Sequence, residues 1–430
     1  MKSKTHYQDA VLERFIPISL ELLIKDLLNS SLLATAQRSA FQNFCTSYIA
    51  LFHAQSHSQL QYVKHLYQPY NPDRDTLISK NERTADQLAQ LKKELSAILE
   101  SANYERISES DLNEALNKTS PHGVKVSVDF ADFSEVALFY RGAAIKTELH
   151  RNWKQFSFKK QPIDVLIYRR LFVLLQPKNR QQWLEYFSNT KKMSPENAAQ
   201  HADEAFKNSK PHNEEDVIYL KLFKDIPRAD LEMQFPNTRI QIRLFDKIKL
   251  GVMGGGGTAG GVMATLSKFS AAIDPVSALI AIGGLLGVIW RQIAKVFSQR
   301  AKYSAALTKN LYFYSLANNM SALTHLVDSA EAEECKEAIL AYFFLLATGE
   351  RNRINLDKRI EDYIQQQYSI PMDFEIDDGL DKLQNSKLLT RCDTIINAVS
   401  LDEAIIKLKQ QWLNIIEKNA TDVNEEKHNV

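Results

Sequence analysis

Three short stretches hold residue types that could do chemistry. The first is Asn71-Pro-Asp-Arg-Asp75, which packs three charges into a turn stiffened by proline. Two carboxylates around a guanidinium suit acid–base or metal work. Asp before Arg in such a turn more often caps a helix and closes a local ion pair, and no histidine or serine nucleophile is tied to it. Asp73, Arg74 and Asp75, together with Arg228 of Lys224-Asp-Ile-Pro-Arg-Ala-Asp-Leu-Glu232, form the candidate polar site. The second stretch is His53 and His57, four apart on an expected helix and able to face one metal. The intervening Ala-Gln-Ser lacks the glutamate of a zincin helix, and no third ligand follows by spacing, so no metal is assigned. The third is Gly255-Gly-Gly-Thr-Ala-Gly260, which fits the dinucleotide pattern G-x-G-x-x-G after strand-like 239–244. A run of glycines meets that pattern by chance. No acidic residue on a strand end follows about 20 residues later, since Asp274 precedes Pro275 in a turn, and there is no P-loop Gly-Lys-Ser/Thr. No cofactor and no catalytic residue is assigned.

The elements that must position these residues read as follows. Residues 1–120 form an N-terminal helical region. Leu20, Leu23, Leu27 and Leu28 recur at helical spacing, Phe44–Phe52 continues the pattern, and the prolines of 69–76 stop it. Leu88, Leu91, Leu95 and Leu99 make the stripe of another helix, 82–101, and Ser110 caps a short one. Residues 121–246 form a small antiparallel sheet region. Val124, Val126 and Val128 alternate with polar residues, and Glu135–Arg141, Ile145–Leu149 and Asp164–Leu175 are separate strands. Within it, 177–215 is a polar insertion with a helix start at Ser194-Pro-Glu196. Ile293–Val327 reads as one long helix, connecting over 293–330, and 418–430 as a flexible tail.

Fourteen glycines occur in the chain, and ten lie between Gly251 and Gly287. Leu250–Ser267 and Pro275–Trp290 carry no charge. At 1.5 Å per residue each is roughly 24–27 Å long as a helix, near the span of a thin hydrocarbon core. Glycine weakens a helix in water, whereas in lipid the cost of unpaired backbone groups makes helix the default. Gly251/Gly255, Gly257/Gly261 and Gly283/Gly287 are spaced as small-xxx-small packing pairs. Lys247 and Lys249 precede the first run, and Arg291 and Lys295 follow the second. The expectation is a glycine-rich transmembrane hairpin over 247–292, with both termini cytoplasmic by the positive-inside rule. A second face of the first span is left for a neighbouring copy, giving a homo-oligomer.

The rest of the composition is that of an ordinary globular chain. Its 430 residues are 44% hydrophobic and 24% charged, with a mean hydropathy of −0.31, which excludes a disordered chain, a fibrous repeat or a polytopic transporter. Fifty-three basic residues against 52 acidic ones leave no global charge to draw it to nucleic acid. Cys45, Cys335 and Cys392 match no metal or redox spacing and read as reduced thiols of a cytosol-like compartment. The first residues show no signal peptide, presequence or lipidation motif. Residues 331–417 read as three helices, a hairpin and a helix, a winged-helix-like order. Ten Lys/Arg against 17 Asp/Glu there oppose DNA binding and favour a protein partner. The fold class expected is α+β: mainly helical domains, a small antiparallel sheet, the transmembrane hairpin and the winged-helix-like C-terminal domain.

Four strings stand in order before the glycine window: Phe15-Ile-Pro-Ile-Ser19, Tyr67-Gln-Pro-Tyr-Asn-Pro-Asp-Arg-Asp-Thr76, Phe133–Gly142 ending in Tyr-Arg-Gly, and Leu222-Phe-Lys-Asp-Ile-Pro-Arg-Ala-Asp-Leu-Glu232. By these the chain resembles domain-of-unknown-function family 3754, which includes bacterial members and the mitochondrial protein called transmembrane protein 143. The resemblance covers nearly the whole chain. It implies a membrane protein with two spans and carries no established activity or catalytic residues. The absent presequence suits a bacterial member in the inner membrane. The functional expectation is therefore a membrane-anchored scaffold or regulator binding a protein or lipid partner at the bilayer. The alternative is a membrane-bound enzyme with a site at Asp73, Arg74, Asp75 and Arg228.

Overall fold

The computed structural model describes residues 7–9, 12–77, 84–108, 110–112, 125–127, 130–151, 160–209, 216–228, 231, 235, 239–241, 313–349, 352–392 and 395–426. Its centre is the hairpin of β4 (Phe133–Arg151) and β5 (Lys160–Pro177), which runs antiparallel from Phe133 opposite Pro177 to Arg151 opposite Lys160. β6 (Tyr219–Pro227) pairs the far side of β5, and β8 (Ser315–Asn318) pairs β6. β1 (Tyr7–Asp9) and β2 (Glu105–Arg106) both lie along the free edge of β4, completing a six-stranded sheet. β3 (Lys125–Ser127) and β7 (Arg239–Gln241) make a separate antiparallel pair.

β5 shows why the sheet is central. Leu171, Val173 and Leu175 enter one core, Phe172 and Leu174 the other, so the strand is an unbroken apolar run rather than an alternating one. The first core closes under Ile107, Leu112, Leu231 and Phe235. The second is covered by α2 (Arg38–Tyr67), α3 (Ala85–Ser101) and the start of α6 (Asn319–Thr348). A third core is almost wholly helical. It joins α1 (Leu20–Asn29), the front half of α2 and the back half of α6 to α7 (Arg353–Tyr368), α8 (Ile376–Asn385), the hairpin β9 (Leu389–Cys392) with β10 (Ile395–Ala398), and α9 (Leu401–Glu426). α2 and α6 have 30 residues each, about 45 Å of helix. Both therefore serve two cores. The polar segment after β5 folds as α4 (Arg180–Glu185), one π-helical turn (Tyr186–Thr190) and α5 (Pro195–Ser209), the last starting at the expected proline.

The structure corrects several expectations. Glu135–Arg141 and Ile145–Leu149 are one strand, not two, and Gly142 carries the chain between them at φ +75°. A Cβ there would meet the Phe15 ring at 3.0 Å and Arg169 Cδ at 3.1 Å, so glycine is required where the N-terminal segment crosses the sheet. Ile293–Val327 is not one helix: Ser315–Asn318 is strand, pinned to β6, and α6 begins at Asn319.

The reading of a two-span integral membrane protein is also corrected. Among the described residues no helix is long and apolar enough to cross a membrane. Of the two longest, α6 carries Asp328, Glu331, Glu333, Glu334, Lys336 and Glu337, and α2 is interrupted by polar residues such as Gln42, Asn43, Gln55, Gln59 and Gln61. The hairpin expected over 247–292 lies outside the described residues. With it lie Gly251, Gly255, Gly257, Gly261, Gly283 and Gly287 and the flanking Lys247, Lys249, Arg291 and Lys295. The fold is a mixed helix-and-sheet one, and the transmembrane part of the expected fold class, the inner-membrane location and the membrane-anchored function have no spanning helix to rest on among the described residues.

Candidate functional site

The sequence-selected residues do not assemble into one site. Asp73 serves the fold. Asn319, at φ +49°, donates from Nδ2 to Asp73 Oδ2 at 2.5 Å and accepts at Oδ1 from the Leu220 amide at 3.1 Å. The Tyr67 hydroxyl donates to Ile218 O at 2.8 Å and stands 3.2 Å from the same Asn319 Oδ1. The 71–76 turn is thereby tied to the start of α6 and to β6. Asn71 Oδ1 accepts from the Asp73 amide, Arg74 donates to Pro69 O at 3.3 Å, and Asp75 is exposed. Arg228 goes elsewhere, pairing with Asp111 at 3.3 Å. His53 Nδ1 bonds Glu331 at 2.9 Å and His57 contacts Gln61. Among the described residues no group of His, Cys, Asp and Glu could hold a metal. Cys45 and Cys335 are buried, and burial pushes the Cys45 thiol up to about 12, the behaviour of core residues rather than nucleophiles.

A different place has the character of a site. A polar cleft of about 450 Å³ opens where four stretches meet: Arg14, the end of α3 and its exit (Glu100, Asn103–Glu105), the first turns of α7 (Arg353, Asp357), and Asp373–Asp378 leading into α8. Local chemistry builds each wall. Asn103 takes a left-handed turn at φ +57° to end α3, and Asn is among the few residues that tolerate it. Asn352 caps α7 by accepting from the amides of Ile354 and Asn355. Glu13 and Met372 form a parallel bridge, and the Asp373 amide donates to Glu13 O at 3.1 Å, which locks the approach to α8 onto the N-terminal segment.

The lining has seven carboxylates (Glu100, Glu105, Asp357, Asp373, Glu375, Asp377, Asp378) and two arginines. Arg14 pairs with Glu375 at 3.1 Å, and Arg353 meets Asp377 with two parallel bonds. Glu105 accepts from the Tyr140 hydroxyl at 2.7 Å. Asp357 differs from these: its Oδ1 is buried with no hydrogen-bond partner. Burial first, and the Glu361 charge next, push its carboxyl up to about 6. Glu375 is also raised, by burial, against the pull of Arg14.

Behind the cleft lies a buried ionic layer along α6. Glu337, 1% exposed, accepts from Lys382 Nζ at 2.7 Å and from Asn103 Nδ2 at 2.9 Å. Burial pushes it up to about 7, with Lys382 and Asn103 opposing. One turn earlier Glu333 accepts from Lys336 at 2.7 Å and from the Ile16 amide at 3.0 Å. Arg141 lies 3.6 Å from Glu333, with its guanidinium over the rings of Phe15 and Tyr104. Gly379 lets α8 sit against this layer, since a Cβ there would meet Glu337 O at 2.9 Å.

Sequence reasoning missed this place. The one signal in reach was the excess of acids over bases across 331–417, with Asp373, Glu375, Asp377 and Asp378 crowded into six residues. Nothing local shows that Glu333 and Glu337 point inwards.

Residues 133–321, from β4 to the start of α6, match the family described as "Protein of unknown function (DUF3754)". The match bears on the family and not on any single member or on the source of the chain. The cleft residues lie outside the matched segment. No solved structure matches the chain.

Proposed function

We propose that this chain, a member of the DUF3754 family, is a binding protein whose cleft takes a basic segment of a partner protein. The observation that carries this reading is Asp357: a carboxylate with one oxygen buried and unpartnered, in a cleft where both arginines are already engaged by other acids. A partly buried carboxylate of this kind is stabilised by an incoming cation, because an opposite charge within about 4–6 Å favours its ionised form. Lysine or arginine side chains supply that cation together with donors for the remaining acids. The absence of a nucleophile–base pair in the cleft lining favours binding over catalysis.

The test is fluorescence anisotropy of the full chain with a labelled dodecapeptide of alternating Lys and Ala, against its Glu/Ala counterpart. The Lys peptide should bind, and salt raised from about 50 to about 300 mM should weaken it severalfold as charges are screened. The pair of changes Asp357→Asn and Asp378→Asn should weaken it at least about fivefold. Equal binding of both peptides, or an unaffected double variant, would remove the reading.

A further inference from the structure

We infer that cation binding in the cleft is coupled to the proton on Glu337, which is displaced to solvent as the cleft fills. The inference rests on the cleft reading and adds its regulation.

Geometry carries the argument. Two walls of the cleft converge on this one carboxylate. Its Oε1 accepts from Asn103, the left-handed residue at the tip of α3. Its Oε2 accepts from Lys382, on the helix whose first turn carries Asp377 and Asp378 into the cleft. Gly379, between them, brings the α8 backbone against Glu337 itself. This one carboxylate therefore bridges both walls. Protonation takes away the charge that draws in Lys382, which keeps Glu334 at 3.6 Å as its other acid. A cation entering beside Asp378 and Asp357 favours ionisation of Glu337 through Coulomb attraction. Linkage then requires that ionising Glu337 favour the cation equally.

The charges facing Glu337 come from every element around it. Lys382 on α8 and Glu333 and Lys336 on α6 act on it directly, while Asp378 and Glu334 act on Lys382. β4 supplies Arg141 through Glu333, α2 supplies the buried Tyr48 hydroxyl, and the end of α3 supplies Asn103, with Ser101 reaching Glu334. Burial outweighs Lys382 among these and sets the carboxyl at about 7, so the proton is exchanged near neutral pH. Asp357, set at about 6, gives a second and separable step.

Binding of the Lys/Ala dodecapeptide is to be measured by anisotropy from about pH 5.5 to about pH 8.5, for the wild type, Asp357→Asn, Glu337→Gln and the double variant. In Asp357→Asn, weaker but still binding, affinity should rise about three- to tenfold with a midpoint near pH 7. Glu337→Gln should lose that step and keep the lower one, and the double variant should be flat. An unchanged step near pH 7 in Glu337→Gln overturns the inference and leaves the cleft reading standing. If Glu337→Gln does not fold, hydrogen exchange on the wild type decides. Amides of 103–105 and 376–380, corrected for intrinsic rates, should lose protection as pH rises through about 7, since burial disfavours the ionised carboxyl. A pH-independent protection there overturns the inference. Absence of peptide binding at every pH removes the cleft reading, and the coupling with it.

Discussion

The 71–76 turn and the cleft above α7 and α8 are both crowded with charge, and they differ in what each leaves open. In the turn every key group is used inside the chain. Asp73 meets Asn319, Asn71 meets the Asp73 amide, and Arg74 meets Pro69 O. In the cleft, Asp357 keeps a buried oxygen unpartnered and Glu337 sits near neutrality behind the wall. A polar cluster that closes on itself fixes a fold, because its groups have exchanged water for one another. A cluster with open capacity holds a cost that an incoming ligand can remove. Motif reading ranks the turn first, because it sees charge density and cannot see satisfaction.

The sharpest break of the comparison is Asn319→Leu. It leaves the buried Leu220 amide without its acceptor and puts a branched residue at φ +49°. We expect a loss of about 3–5 kcal/mol in urea or thermal unfolding. Peptide binding by whatever folds should be unchanged.

The second concerns pH. The folded-state carboxyl of Glu337 is raised above its unfolded value of 4.5, to about 7. The native state therefore binds a proton more readily than the unfolded chain. This group's contribution is greatest below about pH 4.5, declines as pH rises, and reaches its minimum above about 7. Against Glu337→Gln, the wild type should lose roughly 3 kcal/mol across that interval. Parallel stability curves for the two proteins would show that Glu337 is not the group responsible.

A smaller effect is expected at Asp357→Asn, which removes a partly buried charge. Stability at about pH 8 should rise by about 0.5–1 kcal/mol while affinity for the basic peptide falls. A gain in one with a loss in the other marks a binding residue rather than a structural one. The smallest is Asp75→Asn, at an exposed position of the turn, where both readouts should stay within about 0.5 kcal/mol of the wild type.

Much of the local fold was legible from residue order. The stripe Leu88, Leu91, Leu95 and Leu99 is α3, three of these buried and Leu88 partly so, and Thr84 caps it by accepting from the Gln87 amide. Asp164–Leu175 lies within β5. What escaped depended on distant parts of the chain. Gly142 looked like a strand break, yet the Phe15 ring and Arg169 are what require glycine there. Ser315–Asn318 looked helical until β6 supplied its partner. Glu333 and Glu337 carry no sign of burial in the residue order. Their burial comes from the 13–16 segment and from α8, neither of which any periodicity within α6 can announce. The cleft is illegible for the same reason, being drawn from residues near positions 14, 103, 357 and 375.

The bond from the Ile16 amide to Glu333 has a consequence for how the protein is made. Its ends are 317 residues apart, and Lys336 reaches back to Ile16 O across a similar interval. At roughly 5–20 residues per second a ribosome takes on the order of 15–60 s to deliver the second partner after the first. Throughout that time Ile16, Leu23, Leu27, Phe41 and Phe44 have emerged without the α6 residues that bury them. The nascent chain thus carries an exposed apolar front end until its last quarter appears. Its yield in cells should depend on chaperones that hold unfinished chains, more than its final stability would suggest.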